Sequence, residues 1–264
     1  MSTDLRLAPG TSQEKPRPRL SIIVATWNAS RTFERCMLSV LGQSFKGWEL
    51  LISDGGSTDG TLELIRQYEP HIAWWRSGVD EGIYDAWNQA LTHASGDYVC
   101  FLGADDAWAD NDSLERLFSK IGTQQYDLVT SRGVFFSATT GKDRALGGPW
   151  DYRRLGRRMV VCHPGMLHRQ GIFETYGMFN TQYRIAGDLE FLMRLPPDLM
   201  TLDAPYITVR IGVGGISRRN FYARLLEQRD ILAHSSRFGI FRAYLVWLDR
   251  LWRYPVARIL NIPY

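Results

Sequence analysis

Several carboxylates follow apolar segments of this sequence, at positions where a strand would end. They are Asp54, Asp80, the adjacent pair Asp105 and Asp106, and, in the second half of the chain, Asp188. A single carboxylate in a loop is commonly a turn former or a helix cap. All of these except Asp188 are expected at one edge of a sheet, and such a group favours a ligand site over separate local roles.

The pair Asp105 and Asp106 comes directly after the apolar segment 98–104. Adjacent like charges are costly unless a cation lies between or beside them. Carboxylate oxygens are ligands that Mg²⁺ and Mn²⁺ prefer, and Mg²⁺ is often held by one or two carboxylates together with phosphate oxygens. The pair therefore predicts a divalent cation site, completed by the oxygens of a nucleoside diphosphate.

The elements that must position these residues alternate between strand and helix. A β-branched run over 20–25 predicts the first strand, and further strands are predicted over 48–53, 72–75 and 98–102. Helical spacing follows each of the first three strands. This rhythm predicts a doubly wound α/β fold with a mostly parallel central sheet, whose ligands bind beyond the carboxyl ends of the strands.

The rest of the chain divides by composition. Residues 1–19 contain three prolines and no periodicity and are interpreted as a flexible leader. A catalytic domain is predicted over 20–217, with a first half over 20–125 and an α+β second half over 126–217. A tail over 218–264 is rich in arginine and aromatic residues, and its helix is expected to end at Pro255.

Composition narrows the possible functions. The chain has 264 residues and a formal net charge of +3, which is too small a bias to indicate nucleic-acid binding. No segment approaches the ~20 apolar residues of a membrane-spanning helix, so a cytoplasmic protein is expected. Cys36, Cys100 and Cys162 form no metal-binding spacing and fit a reducing compartment.

Four segments, taken together, resemble the family 2 glycosyltransferases, inverting enzymes of the GT-A fold that use nucleotide-activated sugars. The segments are Ser21–Asn28, Ser53–Thr61, Asp80–Ala90 and Gly96–Asp106. A looser similarity extends over 160–217, and the tail after Phe221 is not covered. The resemblance implies transfer of a sugar from a nucleotide donor to a saccharide acceptor, in surface polysaccharide biosynthesis.

The resemblance also implies roles for individual residues. Thr26, Asn28 and Asp54 would contact the nucleoside, Asp80 would lie near base or ribose, and Asp105 would face ribose or sugar. Asp106 would hold Mn²⁺ or Mg²⁺. Asp188 would be the catalytic base that removes the proton of the acceptor hydroxyl, although as the first acid of a predicted helix it could instead be a cap.

Three further residues have alternatives that the sequence leaves open. His163 is either a core histidine or a contact of the diphosphate or acceptor. Asp85 is a first-turn helix acid or a contact of the sugar. Arg218 could hold a diphosphate or be solvated surface.

The tail offers a final alternative. Between Ile240 and Trp252 apolar residues recur on one side of a helix, interleaved with arginines. Such a helix can lie on an anionic membrane, which would suit a lipid-linked acceptor at the inner face of the cell membrane. It could equally pack on the catalytic domain or in a homodimer. The alternatives for the whole chain are a sugar-nucleotide nucleotidyltransferase and a non-catalytic nucleotide-sugar-binding protein.

Overall fold

The protein is represented by a computed structural model that describes residues 17–135, 145–212, 215 and 220–259. Most of the expected leader, together with Arg218, lies outside these ranges. The strands are β1 Leu20–Thr26, β2 Trp48–Asp54, β3 Trp74–Ser77, β4 Tyr98–Gly103, β5 Ala107–Trp108, β6 Leu128–Phe135, β7 Ala145–Leu146, β8 Leu167–Arg169 and β9 Thr201–Ile211. The helices are α1 Phe33–Leu41, α2 Thr61–Tyr68, α3 Ile83–Leu91, α4 Ser113–Ile121, α5 Tyr152–Leu155, α6 Gly171–Tyr176, α7 Gly187–Arg194, α8 Phe221–His234 and α9 Ile240–Ile259, with a 3₁₀ turn at Glu69–His71.

These strands form one sheet in the order β3-β2-β1-β4-β8-β6-β9-β5, with β7 paired to β6. The first four strands are parallel to one another, as the strand–helix alternation predicts. The strands of the second half continue the same sheet, since β8 pairs antiparallel with both β4 and β6.

Side chains of the buried strands alternate between two apolar layers. Ile22 and Val24 face the layer formed with α1, α2 and α4, whereas Ile23 faces the layer formed with α3, α7 and α8. Successive side chains of a strand point to opposite faces of the sheet, so a strand that is covered on both faces needs apolar residues at every position. The sheet is therefore held rigidly between helices, and its carboxyl edge carries the polar residues.

Two predicted boundaries are wrong. The strand expected over 72–75 begins at Trp74, because Glu69–His71 forms a 3₁₀ turn that delays the extended backbone. The helix expected to end at Pro255 continues to Ile259. A proline inside a helix removes one hydrogen bond and can bend the helix without ending it.

Cys36, Cys100 and Cys162 are buried and free. Among the residues that the structure describes, no helix is long and apolar enough to cross a membrane.

Candidate active site

Asp54 is the centre of a hydrogen-bond network at the carboxyl edge of the sheet. The strand register places Thr26, Asp54 and Ser77 side by side at the ends of β1, β2 and β3. Thr26 Oγ1 and Ser77 Oγ each donate to the Asp54 carboxylate at 2.7 Å. The Ser57 hydroxyl and the backbone N–H groups of Gly56 and Ser57 also donate to it.

This network determines the ionisation of Asp54. The side chain is 0% exposed. Burial raises the pKa of Asp54, but the hydrogen bonds from Ser57, Ser77 and Thr26 together hold that pKa below its ordinary value. Asp54 is thus ionised and buried, it organises the loop after β2, and its oxygens accept hydrogen bonds from internal donors. Its predicted contact with a nucleoside base stays a prediction.

Asn28 presents its side chain beside this loop. The residue is exposed and adopts a left-handed backbone conformation, with φ 48°. Its backbone N–H donates to Ser57 Oγ at 2.8 Å, and its Oδ1 accepts from Thr58 N at 2.9 Å. The loops after β1 and β2 are therefore fastened together, with Asn28 at their surface.

Asp80 lies against the same loop. A Cβ added at Gly55 would be 2.8 Å from Asp80 Oδ2, so the close approach requires glycine at position 55. Asp80 Oδ1 accepts from Gly82 N at 2.9 Å. Burial and, to a smaller extent, the charge of Asp85 raise the pKa of Asp80. The structure thus brings Asp80 to Asp54, as predicted.

Asp85 accepts hydrogen bonds from residues close to it in the chain. Its carboxylate accepts from Glu81 N at 3.1 Å and from Gln89 Nε2 at 2.8 Å. Both contacts stabilise the first turn of α3. These contacts correspond to the first-turn alternative, and a contact between Asp85 and a sugar stays a prediction.

Asp105 and Asp106 follow β4, next to the end of β1. Asp106 is 4% exposed and accepts from the backbone N–H groups of Gly103, at 2.8 Å, and Gly212, at 2.9 Å. Burial, together with the charge of Asp105, raises the pKa of Asp106 to about 7. The Asp105 carboxylate accepts no hydrogen bond from the part of the chain that the structure describes, and is only half-buried.

The donor set of this pair fits a divalent cation. Asp105 Oδ1 and Asp106 Oδ2 lie 2.9 and 3.0 Å from the point that a Cβ on Gly103 would occupy, so the glycine leaves a small space between two carboxylates. The raised pKa of Asp106 comes first from burial and then from the charge of Asp105, against a smaller opposing effect of Arg35, and a bound cation would lower it. Within the described residues no cluster of three or more His, Cys, Asp and Glu side chains could hold a metal ion. The pair would therefore need ligands from elsewhere, such as diphosphate oxygens.

Asp188 lies in the first turn of α7 and is held by Tyr84 of α3. Tyr84 Oη lies 3.3 Å from Asp188 Oδ1 and 3.1 Å from the carbonyl oxygen of Ile185, and Leu189 N donates to Oδ1 at 2.8 Å. Burial raises the pKa of Asp188 to about 6, against the opposing effect of these hydrogen bonds. The carboxylate is ionised at neutral pH and can accept a proton.

Tyr84 also links the two halves of the site. A Cβ on Gly187 would lie 2.8 Å from the Tyr84 ring, so α7 approaches the ring through its glycine. Tyr84 stands two residues after Gly82, which Asp80 binds. The α3 start therefore connects the Asp80 loop to Asp188.

His163 is not part of this group. Its ring is 4% exposed and lies against Trp87 and Phe101, with centroid distances of 5.6 and 5.8 Å. Burial lowers its pKa to about 4, so the ring is neutral. The core alternative accounts for His163, and a buried ring offers no surface to a diphosphate. The predicted contact of Arg218 lies outside the described residues.

Comparison with known proteins identifies the family. The family described as "Glycosyl transferase family 2" matches residues 21–182. The chain belongs to glycosyl transferase family 2. Over 247 residues, this glycosyltransferase is 30% identical to a "PGL/p-HBAD biosynthesis glycosyltransferase" of Mycobacterium tuberculosis strain H37Ra, with 91% of this chain and 93% of the relative covered. It is 37% identical over 93 residues, 34% of each chain, to the "Putative glycosyltransferase EpsE" of Bacillus subtilis.

Solved structures show the same fold. TarS 1–349 of S. aureus, in complex with UDP-GlcNAc, superposes with a TM-score of 0.67 at 16% identity, covering 89% of this chain and 73% of TarS. The mannosyltransferase PcManGT of Pyrobaculum calidifontis, in complex with GDP-Man and Mn²⁺, has a TM-score of 0.65 at 20% identity, with coverages of 92% and 74%. The predicted GT-A fold and glycosyltransferase activity are confirmed. Neither alternative, a nucleotidyltransferase or a non-catalytic binding protein, is needed.

Several residues of the site were not predicted. Ser57, Ser77 and Gly212 bind the two buried aspartates, and Tyr84 binds Asp188. Tyr84 lies inside one of the segments that carry the resemblance, and Ser77 is the polar residue that ends β3. Both therefore had a signal in the sequence, whereas the contact of Gly212 with Asp106 spans 106 residues and had none.

Proposed function

We propose that this glycosyltransferase moves a sugar from a nucleoside-diphosphate donor to a saccharide acceptor, with inversion at the anomeric carbon, in the biosynthesis of a surface polysaccharide. The observation that carries the proposal is that the chain has two carboxylate groups in different environments, the Asp105 and Asp106 pair and Asp188. Asp105 and Asp106 lie side by side at the end of β4, where burial and the charge of Asp105 raise the pKa of Asp106 against the smaller opposing effect of Arg35, whereas Asp188, with a pKa of about 6, is mostly ionised at neutral pH between α3 and α7.

The donor would occupy the edge formed by the first four strands. Thr26, Asn28 and the Asp54 loop would surround the nucleoside, Asp80 would lie near base or ribose, and Asp105 would face ribose or sugar. Two structural neighbours, TarS and PcManGT, are described in complex with UDP-GlcNAc and with GDP-Man and Mn²⁺. These complexes support a nucleotide-sugar donor for a protein of this fold.

Asp106 would hold a divalent cation, Mn²⁺ or Mg²⁺, with Asp105 beside it. When bound, the cation would neutralise charge on the departing diphosphate. The fit rests on the space at Gly103 and on the raised pKa of Asp106, since a cation favours the ionised carboxylate.

Asp188 would act as the general base. The acceptor hydroxyl oxygen attacks the anomeric carbon, the bond from that carbon to the diphosphate oxygen breaks, and the hydroxyl proton passes to the Asp188 carboxylate. A single displacement of this kind inverts the anomeric configuration and needs no covalent intermediate. A pKa of about 6 keeps most of the carboxylate ionised at pH 7 while making it a stronger base than an ordinary aspartate.

Calorimetry and turnover together test this function. Binding of UDP or GDP should require Mn²⁺ in the wild type, and Asp106→Ala should abolish that requirement together with tight binding. Asp188→Asn should bind the nucleotide as the wild type does but lose about 10²–10⁴-fold in transfer, or in slow hydrolysis of a nucleotide sugar drawn from a panel. Metal-independent nucleotide binding, or full activity of Asp188→Asn, would contradict the assignment.

The acceptor side would include a membrane surface. The exposed apolar face of α9 consists of residues that are 43–74% exposed: Ile240, Phe241, Tyr244, Leu245, Leu248 and Trp252. The opposite side packs on α8 through buried Ala243. Six arginines against three acidic residues between 221 and 253 complement an anionic lipid surface. This arrangement supports peripheral association with the inner face of the cell membrane, where a lipid-linked saccharide acceptor would be met.

A further inference from the structure

Glu227 of α8 binds the backbone of the segment that leads to Asp188. Its carboxylate accepts from Arg184 N at 3.0 Å, Ile185 N at 2.9 Å and Ala186 N at 2.8 Å. Those three amides are consecutive, and the third belongs to the residue that precedes α7. One side chain thus satisfies all the backbone donors of this segment.

The physical consequence is a fixed start for α7. Backbone N–H groups at a helix start have no partner within the helix. A carboxylate there makes charge-assisted hydrogen bonds and is further favoured by the helix dipole. With Glu227 on one side and Tyr84 bound to the Ile185 carbonyl oxygen on the other, residues 184–186 are held by both their donors and an acceptor.

Other contacts place α8 against the same region. Arg224, one turn before Glu227, lies close enough to lower the pKa of Asp188, and the charge of Glu227 acts on Tyr84. Asp230, one turn after Glu227, accepts from Tyr183 Oη at 2.9 Å. The contact therefore extends over two turns of α8 and is not an isolated hydrogen bond.

We propose that Glu227 is a positioning residue for the reaction: by binding the amides of 184–186 it fixes the Asp188 carboxylate in the place where it meets the acceptor hydroxyl. This inference rests on the proposed function of Asp188. It assigns a role in the chemistry to a helix of the tail, 39 residues beyond the base and outside the part of the chain that the family matches.

The first test measures the segment itself. In Glu227→Gln, one of the two oxygens becomes an amide N–H₂ that cannot accept, so hydrogen exchange of amides 184–186 should become at least tenfold faster in the full-length protein. Asp249→Asn is the matched control, because it removes a carboxylate of α9 whose partner, within the described side chains, is Arg253. Unchanged exchange in Glu227→Gln would overturn the proposal.

The second test separates positioning from general stability. Glu227→Gln should lower kcat by about 10–100-fold, since misplacement of a catalytic group by about 1 Å has effects of this size, while KM for the donor and Mn²⁺-dependent affinity for UDP or GDP stay within about twofold. In the Asp188→Asn background the same change should lower the residual rate by less than about twofold. An equal loss in both backgrounds, or faster exchange without loss of kcat, would overturn the proposal.

Glu227→Asp provides a second variant. It retains both oxygens on a side chain one methylene shorter, so it should give intermediate exchange and intermediate kcat. Should Glu227→Gln fail to fold, these two measurements on Glu227→Asp decide the matter, and wild-type values in both would overturn the proposal. A wild-type protein that transfers no sugar would instead contradict the proposed function, while the exchange result would still report on the segment.

Discussion

The protonation of Asp188 depends on the side chains that surround it. Burial alone would raise its pKa further than about 6, and Tyr84 and the Leu189 amide oppose that rise because both stabilise the charged form. Tyr84 itself is 4% exposed and cannot exchange its partner for water. A single hydroxyl therefore adjusts the pH at which the base becomes active.

Replacing that hydroxyl gives a prediction with a definite sign. In Tyr84→Phe the pKa of Asp188 should rise, because a hydrogen bond to the ionised form is lost. Since the base acts when ionised, the acidic limb of the kcat–pH profile should move to higher pH by about 0.5–1, equivalent to about 0.7–1.4 kcal/mol. The measurement is a pH–rate profile of sugar transfer between pH 5 and 9.

Tyr98→Phe is the control for this change. Tyr98 is a buried residue of β4, and its substitution also removes a tyrosine hydroxyl. That hydroxyl accepts a hydrogen bond from Tyr126 N at 3.0 Å and does not contact Asp188. Its profile should match the wild type. A limb that stays in place in Tyr84→Phe, or moves equally in Tyr98→Phe, would contradict the role of Tyr84.

At the residue scale, the sequence identified the acidic residues better than their partners. Asp54, Asp80, Asp105 and Asp106 could be placed at one edge because each follows an apolar run, and the parallel register gathers the ends of such runs. Tyr84 lies in one of the segments that carry the resemblance, but its pairing with Asp188 could not be foreseen, because the two residues are 104 positions apart in the chain. The ring of His163 offered no sign of its burial, since histidine occurs both in cores and at surfaces.

At the scale of single elements, the buried and ionised carboxylate of Asp54 holds the loop after β2 in place. Five donors converge on the Asp54 carboxylate: two hydroxyls from the ends of β1 and β3, and three groups from the loop itself. The free energy of these bonds exceeds the cost of burying the charge, which is why the pKa of Asp54 lies below its ordinary value. The loop conformation thus depends on Asp54 being ionised.

Asp54→Asn should destabilise the fold by about 2–4 kcal/mol, because an amide leaves buried donors unsatisfied. Since the native pKa is lowered, the stability from ionisation is fully present above pH ~4 and is lost as pH falls below that value. The difference in unfolding free energy between wild type and variant should therefore be constant from pH 6 to 8 and shrink below pH 4, as measured by urea denaturation.

Asp59→Asn provides the comparison. Asp59 lies in the same loop and also accepts from hydroxyls and amides, of Ser30 and Thr61, but it is exposed. Water can replace its partners, so its loss should cost less than that of Asp54. Equal costs for the two variants would mean that burial of Asp54 does not control the loop.

Element boundaries show where sequence reasoning was sufficient. The strands predicted over 20–25 and 98–102 were recognised to within one residue because an apolar run covered on both faces has few alternatives. The 3₁₀ turn before β3 and the continuation of α9 past Pro255 were missed, since each depends on how a short segment accommodates its proline. The register that aligns Thr26, Asp54 and Ser77 is a property of the assembled sheet.

At the scale of the whole molecule, the apolar face of α9 predicts binding to lipid. The protein should sediment with vesicles containing phosphatidylglycerol and much less with vesicles of phosphatidylcholine alone, because arginines add attraction to anionic headgroups. The double substitution Phe241→Ser and Trp252→Ser, of side chains 74% and 73% exposed, should weaken partition at least tenfold.

Trp27→Ser is the control for vesicle binding. Trp27 is an aromatic residue of similar exposure, 71%, but it directly follows β1 and does not belong to the apolar face of α9. Its loss should leave partition unchanged. Protein that stays in the supernatant and forms a dimer sensitive to the α9 substitutions would show that a second copy, not lipid, covers this face.

The pairing of β8 with both β4 and β6 has a consequence for motion. The ladder joins the parallel strands to the strands of the second half, as the register of Tyr98 with Arg169 and of Leu128 with His168 shows. Bending between the two halves at β8 would have to break hydrogen bonds of this ladder. Rotation of one half against the other about a hinge at β8 is therefore opposed by the sheet itself.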